Sequence, residues 1–173
     1  MKRSATDWVL FALVAAGAVA LKHHYSVASP GQLDWILAPT TFAVETVTGA
    51  DFVREAGTGW LSRERMFVIA KSCAGVNFLI VALLASAWSF GATRPTLRGK
   101  LVLLAGCAAA SYAATLVANT ARIALAMHLH EAVEPSGWLT RARVHRVEGV
   151  LVYLVFLCLF YLAAQRALRR PSA

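Results

Sequence analysis

Hydrophobic positions along this chain gather into long runs separated by short polar or basic stretches, and four of the runs approach the roughly 20 mostly apolar residues needed to cross a bilayer. They are Trp8 to Leu21, which is short and needs its flanks, Ala74 to Gly91, Leu101 to about Met127, and Val147 to about Ala164. A fifth stretch, Leu33 to Val47, is interrupted by Asp34, Pro39 and Glu45, which favours an amphipathic helix at the membrane interface over a fifth span, with the span left open as the alternative. Between that stretch and Cys73, apolar and polar residues mix at short period around Gly57-Thr58-Gly59, and Met66 to Ala70 is rich in β-formers. This pattern predicts a small hairpin leading into the cysteine. The expected fold is therefore an all-α integral membrane protein, one multi-pass domain over residues 1–173, with about four transmembrane helices, an interfacial helix at 33–47 and a small hairpin before Cys73.

Composition agrees: 58% of the 173 residues are hydrophobic and 15% charged, which excludes an ordinary soluble domain. The net charge is +8, but no basic patch is interleaved with aromatics, so the partners it implies are membrane lipids and not nucleic acid. With four spans, Lys2 and Arg3, the compact loop Arg94 to Lys100 and the tail with Arg166, Arg169 and Arg170 share one side of the membrane. Residues 22–72 and 131–146, where basic residues mix with acids, share the other. Positive charge in short loops near span ends favours the cytoplasm, which puts both termini inside and the hairpin outside. Lys2 and Arg3 before an apolar stretch also resemble a signal peptide, but no small-x-small cleavage site precedes Lys22, and the segment reads as a retained first helix. The end from Arg166 to Ala173 reads as a disordered basic tail. Cys73, Cys107 and Cys158 cannot all pair, and a disulfide framework is not expected.

The polar residues that remain converge. Cys73 opens the second span, Arg122 sits near the far end of the third, and His145 lies just before the fourth, so antiparallel spans bring all three to one membrane face. From Leu101, Arg122 lies about 32 Å along at 1.5 Å per residue, enough to reach the far interface of a hydrocarbon layer about 30 Å thick. Asn119, Thr115 and Tyr112 extend its helical face as a polar stripe that must meet protein or water. Each of the three has a plain alternative as a filler thiol, a snorkelling arginine or an interfacial histidine. Together they form a set able to transfer an acyl group. A cysteine at a helix N-terminus beside Lys71 sits in a positive field that favours the thiolate. A histidine can take and return a proton near neutral pH, and an arginine can stabilise an oxyanion.

The strings S-C-A-G-V-N-F, N-T-A-R-I and H-R-V-E-G-V-L-V-Y-L, in that order and each at the edge of a span, resemble the exosortase/archaeosortase family of membrane cysteine transpeptidases. The short length and the K-S-C-A-G-V-N-F form look most like the exosortase K type. The resemblance covers about residues 33–155 and implies an active site of Cys73, Arg122 and His145, with Asn119, Gly75 and Gly149 at the family's supporting positions. Lys71 is placed to tune the thiol, and Glu148, three residues after His145, to orient the ring or simply to favour the helix dipole. The chain has Cys-Ala-Gly where many members have Cys-Ser-Gly, and many members carry further N-terminal spans. The implied partners are exported proteins ending in a short motif, a transmembrane helix and a basic tail, cut at the outer face of the cytoplasmic membrane by hydrolysis or transfer. No cofactor or metal is implied.

Two other readings compete. His128, His130 and Glu131 with His23 and His24 offer metal or haem ligands, although an H-x-H pair projects from different sides of a helix. A non-catalytic accessory subunit would use the polar stripe only as a helix–helix interface. The residues leave Asn77 and the oligomeric state unassigned.

Overall fold

The computed structural model describes residues 3–132 and 140–168, so the basic end from Arg169 lies outside the described residues. Five helices and three strands follow in chain order: α1 (Ala5–Val27), α2 (Asp34–Thr48), β1 (Val53–Glu55), β2 (Gly59–Ser62), β3 (Phe67–Ile69), α3 (Val76–Phe90), α4 (Leu97–Ala132) and α5 (Arg141–Leu168). Single 3-10 turns sit at Pro30–Leu33, Lys71–Cys73 and Gly91–Thr93. Four segments, Ala5–Val27, Lys71–Thr93, Leu97–His130 and Arg143–Ala167, are long and apolar enough to cross a membrane. The protein is an all-α membrane protein, and α5 turns a row of apolar side chains, Val147, Val150, Leu151, Leu154, Leu159 and Leu162, outward. In a bilayer such a row faces lipid.

Three of the long helices begin earlier than the apolar pattern predicts, because a hydroxyl caps each of them. The Ser4 backbone N–H and hydroxyl both bond Asp7 Oδ2 at 2.8 Å, while the Asp7 N–H reaches Ser4 Oγ at 3.3 Å, a reciprocal capping box. Thr96 Oγ1 accepts from the Gly99 N–H at 3.2 Å, and Thr140 Oγ1 from the Arg143 N–H at 3.3 Å. A capped start satisfies backbone donors that would otherwise need water. Capping at Thr140 moves His145 out of the expected loop and into the second turn of α5.

The expected hairpin is a three-stranded antiparallel meander, β1-β2-β3, with Arg54 opposite Trp60 and Trp60 opposite Ile69. The extra strand β1 is three residues long and contains Arg54 and Glu55, so it lacks an apolar alternation. The predicted helix at 33–47 is α2. It buries Ile36, Leu37, Thr40, Thr41 and Val44 on one face and leaves Trp35 and Phe42 exposed. The Thr40 and Thr41 hydroxyls turn back onto the carbonyls of Ile36 and Leu37, so these buried polar atoms are satisfied within the helix.

The chain divides into two compact units, Met1–Val27, Val76–Thr115 and Leu157–Ala173 in one and Ala28–Gly75 with Leu116–Phe156 in the other. In the first, α1 packs on α3. Lys22 Nζ donates to Asn77 Oδ1 at 2.7 Å, which gives the unassigned Asn77 an interhelical role. Lys100 Nζ lies 2.6 Å from Asp7 Oδ1, with both side chains largely covered. Removing one partner of a covered ion pair strands the other charge. Asp7→Asn and Lys100→Met should therefore each lower the melting temperature of the purified protein, and the double variant should lose less than the two single losses added. Strict additivity in that cycle would mean the pair contributes nothing.

Candidate active site

All residues of the candidate site belong to the second unit. They are brought together by a turn, one face of α4 and one face of α5. Cys73 closes the 3-10 turn Lys71–Cys73 and is 6% exposed, with its thiol in no disulfide. It is not at the N-terminus of α3 as expected, because α3 begins only at Val76. Gly75 separates the two with φ of 68°, the left-handed region that side chains with a Cβ rarely adopt. That reversal of the backbone is what the position demands of a glycine. Lys71 donates from Nζ to the Ala28 carbonyl at 2.8 Å, so it ties the cysteine turn to the chain that enters α2.

Asn119, fully buried on α4, holds the turn from the other side. Its Nδ2 donates to the Cys73 carbonyl, and its Oδ1 accepts from the Tyr153 hydroxyl at 2.8 Å. Those two partners fix the orientation of the amide, since a carbonyl can only accept. One helical turn further along α4, Arg122 donates from Nη1 to the same Tyr153 oxygen at 3.2 Å and lies over its ring at 5.2 Å from the centroid. Nη2 of Arg122 lies 3.1 Å from Nε2 of His145. A guanidinium has no acceptor, so Nε2 carries the lone pair and Nδ1 the proton. Nδ1 points to Glu148 Oε2 at 3.6 Å, one turn along α5. Glu148 is 6% exposed, and neither of its oxygens has a hydrogen bond among the described residues.

A neutral imidazole thus stands between a cation and a covered carboxylate, and the three groups together carry no net charge. A carboxylate across the ring offsets part of the cost of covering the guanidinium's charge. Gly149 completes the cradle: a Cβ there would lie 2.8 Å from Arg122 Nε. A side chain at this position would have to push the guanidinium away from α5.

Of the residues singled out by the sequence, Arg122, His145, Glu148, Asn119 and Gly149 meet in one chain of contacts. Cys73 joins it through its carbonyl, whereas Lys71 and Gly75 shape the turn. Tyr153 was missed. It bridges Asn119 and Arg122, and its signal lay in the spacing of His145, Gly149 and Tyr153 at four-residue steps, which puts them on one face of a helix. The histidines of the rival metal reading do not assemble: among the described residues no three His, Cys, Asp or Glu side chains gather as a metal site.

The chain matches no family model, no curated protein and no solved structure. The site therefore stands on its own chemistry. It offers a covered thiol next to a backbone carbonyl held by an amide, a fixed guanidinium whose Nε–H has no acceptor among the described residues, and an imidazole backed by a carboxylate.

Two substitutions test this geometry. Tyr153→Phe removes a hydroxyl that both donates and accepts, leaving Asn119 Oδ1 buried without its donor, and should cost about 1–3 kcal/mol of stability in thermal or denaturant unfolding. Gly149→Ala should also destabilise, although alanine is the better helix former by about 1 kcal/mol, because the added methyl displaces Arg122. A more stable Gly149→Ala variant would contradict the cradle.

Proposed function

We propose that the protein is a membrane-embedded cysteine peptidase or transpeptidase of the exosortase/archaeosortase type, with Cys73 as nucleophile, His145 as acid/base and Arg122 as oxyanion stabiliser. Its substrates are exported proteins that end in a short motif, an apolar helix and a basic tail. In the topology read from the loops, both termini are cytoplasmic and the site lies on the outer face of a bacterial cytoplasmic membrane. One observation supports the reading above others: residues from three motifs far apart in sequence are linked by a continuous run of hydrogen bonds, from the Cys73 carbonyl through Asn119, Tyr153 and Arg122 to His145.

The chemistry follows from the atoms. In the resting site Nε2 of His145 is occupied by Arg122 Nη2. When a scissile carbonyl enters, Arg122 turns its donors to the carbonyl oxygen and frees Nε2. The Cys73 thiol proton then passes to Nε2, and the sulfur attacks the carbonyl carbon. The negative charge that develops on oxygen is met by the guanidinium. Collapse breaks the C–N bond, the imidazolium gives its proton to the leaving amine, and a thioester remains on Cys73. Water or an amine then attacks that thioester, and His145 takes the nucleophile's proton while the thiolate leaves. Glu148 steadies the imidazolium through Nδ1, as a carboxylate does for the histidine of a nucleophile–base pair.

The 6% exposure of Cys73 favours one competing reading, an accessory subunit in which the thiol is only packing. Co-expression with a tail-bearing substrate decides between them. Cys73→Ala and Cys73→Ser should abolish processing, and Arg122→Gln should lower its rate by about 100-fold or more. Each variant should still reach the membrane at wild-type levels. Processing that persists in Cys73→Ala would leave only the accessory role.

A further inference from the structure

We propose that the cleft formed in the first unit by α3, the start of α4 and the end of α5 is a binding site for one anionic phospholipid, its acyl chain between the helices and its phosphate on Arg94 and Arg98. The cleft has a volume of about 760 Å³. Phe90, Gly106, Ala110, Phe160 and Ala164 line its apolar depth, and Arg94 and Arg98 stand among the residues that border it. Space of this size and apolarity does not hold stable water, which needs polar partners. Within a bilayer its natural filling is a hydrocarbon chain.

The charges say which lipid. Of the three basic residues between Arg94 and Lys100, Lys100 is compensated by Asp7. Arg94 and Arg98 are exposed, and among the described residues neither is paired with a carboxylate. Arg98 also lies in the first turn of α4, where a positive side chain opposes the helix dipole. A bound anion relieves both penalties. Guanidinium groups suit phosphate because their N–H donors match its oxygens in pairs, and basic pockets between transmembrane helices recognise anionic head groups in this way. Other occupants fit less well: the basic tail of the proposed substrate, or the same arginines of a second copy, would bring like charge to this end. The inference does not rest on the peptidase reading.

Native mass spectrometry of the full chain in detergent, titrated with phosphatidylglycerol or phosphatidylcholine of the same acyl composition, tests it. One phosphatidylglycerol should be retained in preference to phosphatidylcholine. Arg94→Gln/Arg98→Gln should weaken phosphatidylglycerol binding roughly 30-fold and phosphatidylcholine, whose choline offsets its phosphate charge, by much less. A Cβ at Gly106 meets nothing within 4 Å, so Gly106→Leu reaches into the cleft and should weaken both lipids. Unchanged circular dichroism in both variants keeps the comparison about binding. Equal retention of the two lipids would overturn the proposal. So would glycerol phosphate competing as well as the intact lipid, a chain dimer that excludes lipid, or displacement of phosphatidylglycerol by an apolar helical peptide with a basic tail.

Discussion

A carboxamide buried inside an apolar helix has to be satisfied by protein, because hydrocarbon offers it nothing. Asn119 is that group here, and most of the candidate site is arranged by its needs. Its N–H fixes the turn that carries Cys73, and its oxygen fixes the hydroxyl of Tyr153. Once these two are placed, the rest follows from helical spacing. Arg122, three residues on, falls beside Tyr153, and His145, two turns before Tyr153 on α5, falls beside Arg122.

The second constraint is charge. A lone arginine near a span end would snorkel to the headgroups. Arg122 instead lies on the face of Tyr153 with its charge answered across His145 by Glu148, and Gly149 leaves it room to do so. Structure and proposed chemistry share this arrangement. In the proposed mechanism, the resting contact keeps Nε2 occupied until a substrate carbonyl oxygen draws Arg122 away, which would couple substrate entry to release of the base. A buried thiol and an engaged histidine are what such a coupling requires before substrate arrives.

Much of this was legible in the sequence. The four apolar runs, the interrupted amphipathic stretch that became α2 and the strand before the cysteine were all readable from periodicity. Arg122 and His145 could be placed together because antiparallel spans leave few alternatives. What was lost lay where local chemistry outweighs hydropathy. Ser4, Thr96 and Thr140 start helices in polar sequence that an apolar window discards, and for that reason His145 was expected in a loop. β1 is too short and too charged to alternate. Tyr153 looked like one more aromatic in an apolar span, since only the partner helix reveals that its hydroxyl is spoken for. Cys73 was expected at a helix N-terminus, because the left-handed break at Gly75 is invisible without the fold.

The central claim is that Cys73 carries the acyl group during turnover. Its most direct test is intact and peptide mass spectrometry of the protein quenched in acid during reaction with a tail-bearing substrate. The account predicts an adduct on the peptide containing Cys73, with the mass of the substrate's N-terminal fragment, that is released by neutral hydroxylamine and absent from Cys107 and Cys158. Substrate turnover with no such adduct, or with an adduct elsewhere, would contradict it.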